Sequence, residues 1–246
     1  MPSDVGINWN QTEISPNDGD PPEQLLDGVM SANIKSLGGY NPKINPRVSE
    51  TKYTEARNPK HVAISLAGEP TLYPMLNDFI GEISKHRMTS FLVTNGTRPD
   101  VIENLVTPTQ LYVTVPAPNE EIYKRLCRPL ESNSWDNLNH TLEILPSFSG
   151  RRVIRLTMVA GVNMQNPRDY SRLVEKSEVD FIEVKGYMHI GSSRKRLSRL
   201  YAPSHREIMA FAEKLSNLTG YNLDDEQKTS RVVLLSKRKN TNKIVT

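Results

Sequence analysis

From residue 61 onward the chain alternates short apolar runs with amphipathic segments, and this rhythm constrains the fold more than any other feature. The strand-like runs are HVAISLA (61–67), SFLVT (90–94), QLYVTV (110–115), RVIRLTMV (152–159), DFIEVKG (180–186) and RVVLLS (231–236). Helical patterns lie between or beside them at 73–86, 99–105, 119–126, 134–148, 167–177 and 203–219. Strands alternating with helices predict an α/β fold with a parallel sheet and right-handed crossovers. Six strands over 246 residues suit a partial TIM-like (β/α)6 barrel better than a closed eight-stranded one. An open dinucleotide-binding sheet is the alternative, but no strand leads into a G-x-G-x-x-G turn.

Upstream of this rhythm, residues 1–20 read as an irregular polar arm. Residues 21–39 read as a helix with prolines at its start and a Gly pair at its end, and 40–60 as a Pro-punctuated loop. The predicted division is therefore 1–60 (arm, helix and loop), 61–200 (barrel-like unit) and 201–246 (a helix, a strand and a basic tail). No run of about 18 apolar residues exists, so a membrane span is not expected. The acidic, polar N-terminus does not read as a signal peptide. A single cysteine, Cys127, rules out an internal disulfide framework and fits a cytoplasmic setting.

The net charge of +3 predicts no partner by itself, but its distribution is uneven. Residues 1–31 hold no Lys or Arg, whereas 194–199 (RKRLSR) and 237–243 (KRKNTNK) are basic. That asymmetry suits a phosphate-rich partner on the C-terminal half, or else an ordinary solvated face.

Strand residues i and i+2 share a face. Arg155 therefore points with Thr157, and Glu183 with Lys185, while Ile154, Leu156, Ile182 and Val184 face the other way. Charges in a barrel lumen need a reason, so these four predict a polar pocket near the strand C-termini; the alternative is that Glu183 and Lys185 pair outward with helices. Gly68, Glu69, Pro70 and Thr71 close the first of these strands as a stiff turn whose carbonyls and carboxylate suit an ammonium group. Thr94, Asn95 and Gly96 close the next, and bind a ribose or carboxylate or simply make an Asn-Gly turn. Thr114 occupies the corresponding position one strand further on. His189 follows the Glu/Lys strand and either contacts substrate or is structural. Arg194, Lys195, Arg196 and Arg199 cluster at the same rim, where phosphate binding is expected. Nothing resembles a Ser-His-Asp nucleophile, a zinc site or a P-loop.

Taken together, HVAISLAGEPTLYP, SFLVTNGT, PTQLYVTV, RLTMV and DFIEVKGYMHIGSSRKRL resemble 4-demethylwyosine synthase, the radical-SAM family of wybutosine-type tRNA modification. The likeness runs in order from about residue 20 to residue 236. It implies a lyase-class enzyme that cleaves S-adenosylmethionine on a [4Fe-4S] cluster, using an external electron donor, to a 5′-deoxyadenosyl radical. The radical attacks the methyl group of 1-methylguanosine beside the anticodon of phenylalanine tRNA, and two carbons from pyruvate close a third ring. By the same resemblance Gly68, Glu69, Pro70 and Thr71 hold the methionine amino group, and Thr94, Asn95, Gly96, Thr114, Arg155 and Thr157 border the cofactor. Glu183, Lys185 and His189 face the substrate as catalytic candidates, and Arg194, Lys195, Arg196 and Arg199 meet tRNA phosphate.

The sequence departs from the pattern in two ways. The family's C-x3-C-x2-C loop is not found, and MPSDVGI resembles the segment just after that loop, so the chain is expected to begin after the cluster ligands; one cysteine cannot replace three. Pro116 also stands where relatives tend to carry Asp, removing one polar contact to the cofactor. Two further readings remain open: a non-catalytic tRNA-binding remnant, and an unrelated barrel enzyme acting on a phosphorylated metabolite.

Overall fold

A computed structural model describes residues 19–65 and 68–238. The helical elements are α1 (Pro22–Ser36), α2 (Glu50–Arg57), α3 (Leu76–Lys85), α4 (Pro99–Glu103), α5 (Glu120–Cys127), α6 (Ser134–Ile144), α7 (Pro167–Ser177) and α8 (His205–Thr219). Strands β1 (His61–Ile64), β2 (Thr89–Thr94), β3 (Gln110–Thr114), β4 (Arg151–Met158) and β5 (Phe181–Gly186) pair in parallel, in sequence order. A hairpin of β6 (Asn222–Gln227) and β7 (Val232–Ser236) extends the sheet antiparallel, giving the order β1-β2-β3-β4-β5-β7-β6.

The helices form where apolar residues recur at helical spacing. In α3 the buried stripe is Leu76, Phe79, Ile80 and Ile83; in α8 it is Ile208, Phe211, Ala212 and Leu215. Ser204 and Glu207 box the start of α8, with the Ser204 hydroxyl accepting from the Glu207 N–H at 3.3 Å and the Glu207 carboxylate accepting from the Ser204 N–H at 2.8 Å. Gly220 ends it in the left-handed conformation.

These helices cover one face of the sheet. Leu92, Leu111, Val113, Ile154, Ile182, Val184 and Leu235 on that face are fully buried. At roughly 2 kcal/mol for each such side chain, this layer supplies the stability against which the opposite face can afford polar groups. A smaller cluster of Leu26, Phe79 and Ile83 fixes α1 to the outside of α3.

Three expectations need correction. The stretch 40–60 is not all loop: Ser49 caps α2 by accepting from the Lys52 N–H at 3.4 Å. None of the α2 side chains is buried, so the helix carries no apolar periodicity to read. The second correction is the orientation of 231–236, which joins the sheet antiparallel to β5 rather than as a sixth parallel strand. The third is β6 itself, which sequence reasoning missed. Its NLDDEQ run is a polar edge, and edge strands need no inward apolar face. The end of the 61–67 strand at Leu66 and Ala67, the arm at 1–18 and the tail from 239 lie outside the described residues.

Candidate active site at the strand tips

The C-terminal ends of β1 to β5 carry most of the residues that the sequence singled out. After β1 the chain turns at Gly68, whose φ of +78° is a left-handed conformation suited to glycine. Glu69 then bolts two strand ends together. Its Oε1 accepts from the Thr71 N–H at 3.2 Å, the Thr71 hydroxyl at 2.8 Å and the Thr94 hydroxyl at 2.6 Å; its Oε2 accepts from the Asn95 N–H at 2.8 Å. A carboxylate has about four lone-pair sites, so Oε1 is saturated and Oε2 keeps one acceptor position. The sequence suggested a turn whose carbonyls and carboxylate suit an ammonium group; the structure shows that carboxylate held by Thr71, Thr94 and Asn95.

The turn after β2 is equally determined. Gly96 has φ of +71°, and a Cβ there would lie 2.8 Å from Leu138 Cδ1 and 3.0 Å from Val113 Cγ1, so only glycine lets α6 pack so close. The Thr94 hydroxyl accepts from the Gly96 N–H at 3.0 Å, and Asn95 Oδ1 accepts from the Thr97 N–H at 2.9 Å. Both the Asn turn and its stable geometry are therefore present. Glu69, Asn95, Thr97, Thr114, Pro116 and Tyr123 line one cavity of about 430 Å³, with Cys127 in its wall.

Thr114 links this cavity to the charged part of the sheet, because it is the strand neighbour of Arg155. Arg155 in turn registers with Glu183, and Thr157 with Lys185. The Arg155 Nε donates to Glu183 Oε1 at 2.7 Å and its Nη2 to Oε2 at 3.4 Å. Glu183 thus pairs with Arg155 on the neighbouring strand, across the concave face of the sheet, rather than outward with a helix. Both partners of this ion pair are largely shielded, with side-chain exposures of 25% for Arg155 and 14% for Glu183. A polar band therefore runs from Glu69 through Thr114 to Arg155, Glu183 and Lys185.

Beyond β5, Tyr187 donates its N–H to Met158 O at 2.8 Å, and its hydroxyl lies 3.1 Å from His189 Nδ1. This anchors the half-buried His189 at the rim. Arg194 Nε donates to His189 O at 3.3 Å, and Arg196 Nη2 donates to Leu126 O at 3.0 Å, strapping the basic loop to the end of α5. Arg194, Lys195, Arg196 and Arg199 are all at least partly exposed.

Sequence reasoning missed two residues here. The Arg155 guanidinium sits 4.8 Å from the centroid of the Tyr112 ring, a cation–π contact. Burial, and then the nearby Glu183 charge, raise the Tyr112 phenol above its ordinary pKa. Tyr112 shares parity with Thr114, so alternation alone could have found it. The second is Asn163, fully buried. Its Oδ1 accepts from the Val159 N–H at 2.6 Å, and its Nδ2 donates to Pro116 O at 2.6 Å and Thr157 O at 2.8 Å. It clamps the ends of β3 and β4 together, and the only sequence signal for it is an Asn in the turn after a strand. Pro116, where a polar cofactor contact was expected to be lost, supplies its carbonyl to this clamp.

The model of the Radical SAM superfamily matches residues 37–174, and that of Wyosine base formation matches residues 176–237. The S-adenosyl-L-methionine-dependent tRNA 4-demethylwyosine synthase of Pyrococcus abyssi is 43% identical over 91% of this chain and 66% of its own length. The same-named protein of Methanocaldococcus jannaschii is 39% identical over 96% of this chain and 73% of its own. The chain thus spans about two thirds of the length of these archaeal relatives. An archaeal TYW1 crystal structure superposes with a TM-score of 0.79 at 34% identity, covering 94% of this chain and 76% of that one. A TYW1 structure with a lysine–pyruvate adduct bound superposes with a TM-score of 0.83 at 37% identity, covering 94% of this chain and 75% of the other.

Radical SAM proteins use S-adenosylmethionine and a [4Fe-4S] cluster, and the two fit these residues differently. The cavity beside Glu69, with a charged acceptor at one end and Tyr123 and Pro116 along its wall, matches an adenosyl amino acid in chemistry. The cluster does not fit. It needs three thiolates, and these 246 residues contain one cysteine. Burial also pushes the Cys127 thiol up to about 11, which keeps it protonated at neutral pH. With two family models matched end to end and two-fifths identity to archaeal enzymes, the chain belongs to the tRNA 4-demethylwyosine synthase family of the radical SAM superfamily.

Proposed function

We propose that this chain forms the cofactor- and tRNA-facing part of a 4-demethylwyosine synthase. Its substrate in this reading is 1-methylguanosine beside the anticodon of phenylalanine tRNA, with pyruvate as the source of two carbons. The observation that carries the reading is the continuous polar band from Glu69 to Lys185 at the tips of five parallel strands. Ligands of α/β folds bind at the C-terminal ends of the strands.

Glu69 Oε2 and the turn around it accept the ammonium of S-adenosylmethionine. Asn95, Thr97 and Thr114 border the ribose and adenine. Arg155, over the Tyr112 ring and gripped by Glu183, presents a fixed positive edge at the junction of cofactor and substrate. Thr157 and Lys185 extend that edge toward the RNA base, with His189 at the rim. S-Adenosylmethionine supplies the adenosyl group that this superfamily uses for hydrogen abstraction; the chain's own residues bind, orient and exclude water around it. Arg194, Lys195, Arg196 and Arg199 meet the phosphates that flank the modified nucleotide.

Equilibrium titration of the purified chain tests this reading. It should bind S-adenosylmethionine, and separately phenylalanine tRNA carrying 1-methylguanosine. Glu69→Gln keeps the shape and loses the charge, and should weaken S-adenosylmethionine binding about tenfold while leaving tRNA affinity within twofold. A chain that bound a sugar phosphate at the strand tips and neither of these ligands would overturn the proposal.

A further inference from the structure

Positive charge also gathers away from the strand tips, on the elements that precede β1. Residues 35–60 hold six cations, Lys35, Lys43, Arg47, Lys52, Arg57 and Lys60, against two acids, Glu50 and Glu55. That surplus of four exceeds the net charge of +3 carried by the whole chain. All six cations are exposed. The fold gathers them on one surface. While α1 is fixed to the outside of α3, Asn33 Nδ2 donates to Ala56 O at 2.8 Å and ties α1 to the end of α2. Lys60 O accepts from the Thr89 N–H at 2.9 Å, which sets the patch beside the beginnings of β1 and β2.

Two turns hold the segment between α1 and α2 in shape. Asn41 Oδ1 accepts from the Lys43 N–H at 3.0 Å, and Asn45 Oδ1 accepts from the Arg47 N–H at 3.2 Å. The Asn45 N–H donates to Asn41 O at 2.8 Å and locks one turn to the next. Lys43 and Arg47 therefore project from fixed backbone. Among the described residues, none of the six cationic groups forms a salt bridge. By contrast, Lys85, Lys124, Arg172 and Lys176 on other helices each lie within 3.3 Å of a carboxylate. The Arg57 guanidinium lies 5.7 Å from the centroid of the Tyr53 ring, and its Nη1 donates to the Tyr53 hydroxyl at 3.3 Å. These contacts orient it and leave its charge in place. Because α2 buries no side chain, this region presents a surface more than it supports a core.

We propose that residues 35–60 form a second RNA-docking surface, which holds the phosphate backbone of a tRNA stem while the strand tips take the modified nucleotide. The inference rests on the tRNA-modifying function proposed above. Lys35, Lys43, Lys52 and Lys60 act as point charges, and Arg47 and Arg57 as forks that match phosphate oxygens. Tyr40, 59% exposed, belongs to the same segment and carries a hydroxyl suited to a ribose 2′-OH. The cations are spread over α1, two turns and α2 rather than ringing one pocket. That spread fits an extended polyanion better than a compact acidic protein. Such contacts carry no base information; they set register and orientation. From Thr89 to Thr94, which bonds Glu69 at the cavity, is roughly 17 Å along β2, at about 3.3 Å per residue. One RNA can therefore reach both surfaces.

The test measures binding of full-length phenylalanine tRNA to the whole chain and to two double substitutions that remove equal charge. Lys43→Gln/Arg47→Gln strips the turns, whereas Arg172→Gln/Lys214→Gln strips α7 and α8. All four residues are exposed, and unchanged thermal transitions would confirm folding. The turn variant should bind tRNA about tenfold more weakly, with a salt-dependence slope lower by about two. The α7/α8 variant should stay within about twofold of the wild type, and both should keep wild-type affinity for S-adenosylmethionine. Lys52→Gln alone should lower the slope by about one. Unchanged tRNA affinity in the turn variant would overturn RNA docking in favour of an acidic protein partner. An equal loss in both double variants would overturn it as a mere effect of net charge. Either result would leave the strand-tip site standing. Failure of the wild-type chain to bind tRNA would overturn the tRNA reading, and this inference with it.

Discussion

The two faces of β4 differ by one residue of register and by almost everything else. Ile154 and Leu156 point into the helix layer and are essentially unexposed; Arg155 and Thr157 point to the concave side and keep contact with solvent. The same division holds on β5, with Ile182 and Val184 against Glu183 and Lys185. The helix-facing side holds the sheet in place by apolar burial. The concave side uses that rigidity to keep a charged pair at 2.7 Å on an aromatic ring, an arrangement costly to assemble on a mobile loop. One side should therefore report on stability and the other on binding.

The largest expected effect lies on the buried side. Leu156→Ala removes a fully packed side chain from beneath the helix layer and should cost about 3–4 kcal/mol in denaturant unfolding. A loss below about 1 kcal/mol would mean that this layer does not carry the fold.

Asn163→Ala comes next, because it sits between the two faces. It strands the Val159 N–H and two carbonyls at the ends of β3 and β4, and should cost about 2–3 kcal/mol by the same measurement. It should also loosen the rim, seen as faster hydrogen exchange at Val159. Unaltered exchange there would show that the strand tips are held by something else.

The smallest effect concerns Cys127 in the cavity wall. Burial raises its thiol from an ordinary 9.0 to about 11, and Arg196 pulls it partly back down. Only the thiolate is nucleophilic, so alkylation at pH 8 should be much slower than for a free thiol and should rise through about pH 11. Arg196→Gln should move that rise higher still. The sign comes from the raised folded value: stability is fully present below pH 9, where both states are protonated, and is lost as pH climbs from 9.0 toward 11, where the unfolded thiol ionises and the folded one holds its proton. Rapid alkylation at pH 7 would show the thiol to be solvated.

Much of this division was legible in the sequence, and the exceptions share a cause. Alternation on RVIRLTMV and FIEVKG separated the faces because Ile154, Leu156, Ile182 and Val184 are apolar where Arg155, Thr157, Glu183 and Lys185, one residue out of phase, are polar. Where burial is weak, the pattern fades. The α2 helix buries nothing and β6 is a polar edge, so neither shows a hydrophobic period. The antiparallel entry of β7 was hidden because an apolar five-residue run says nothing about direction. Within the site, strand position pointed to Arg155, Thr157, Glu183 and Lys185. It could not show that Glu69 turns back to grip Thr94, because that bond joins residues 25 apart through a loop conformation. Asn163 lies further from any pattern, as its three bonds all reach backbone groups set by the assembled fold.

Neighbouring residues of β4 serve separate roles, and the affinity of Leu156→Ala and Arg155→Met for S-adenosylmethionine, measured well below their unfolding temperatures, tests this most directly. Leu156→Ala should bind within about twofold of the wild type despite its lower stability, whereas Arg155→Met should bind at least tenfold more weakly. Equal losses in the two variants, or wild-type affinity in Arg155→Met, would contradict a cofactor site on the concave face.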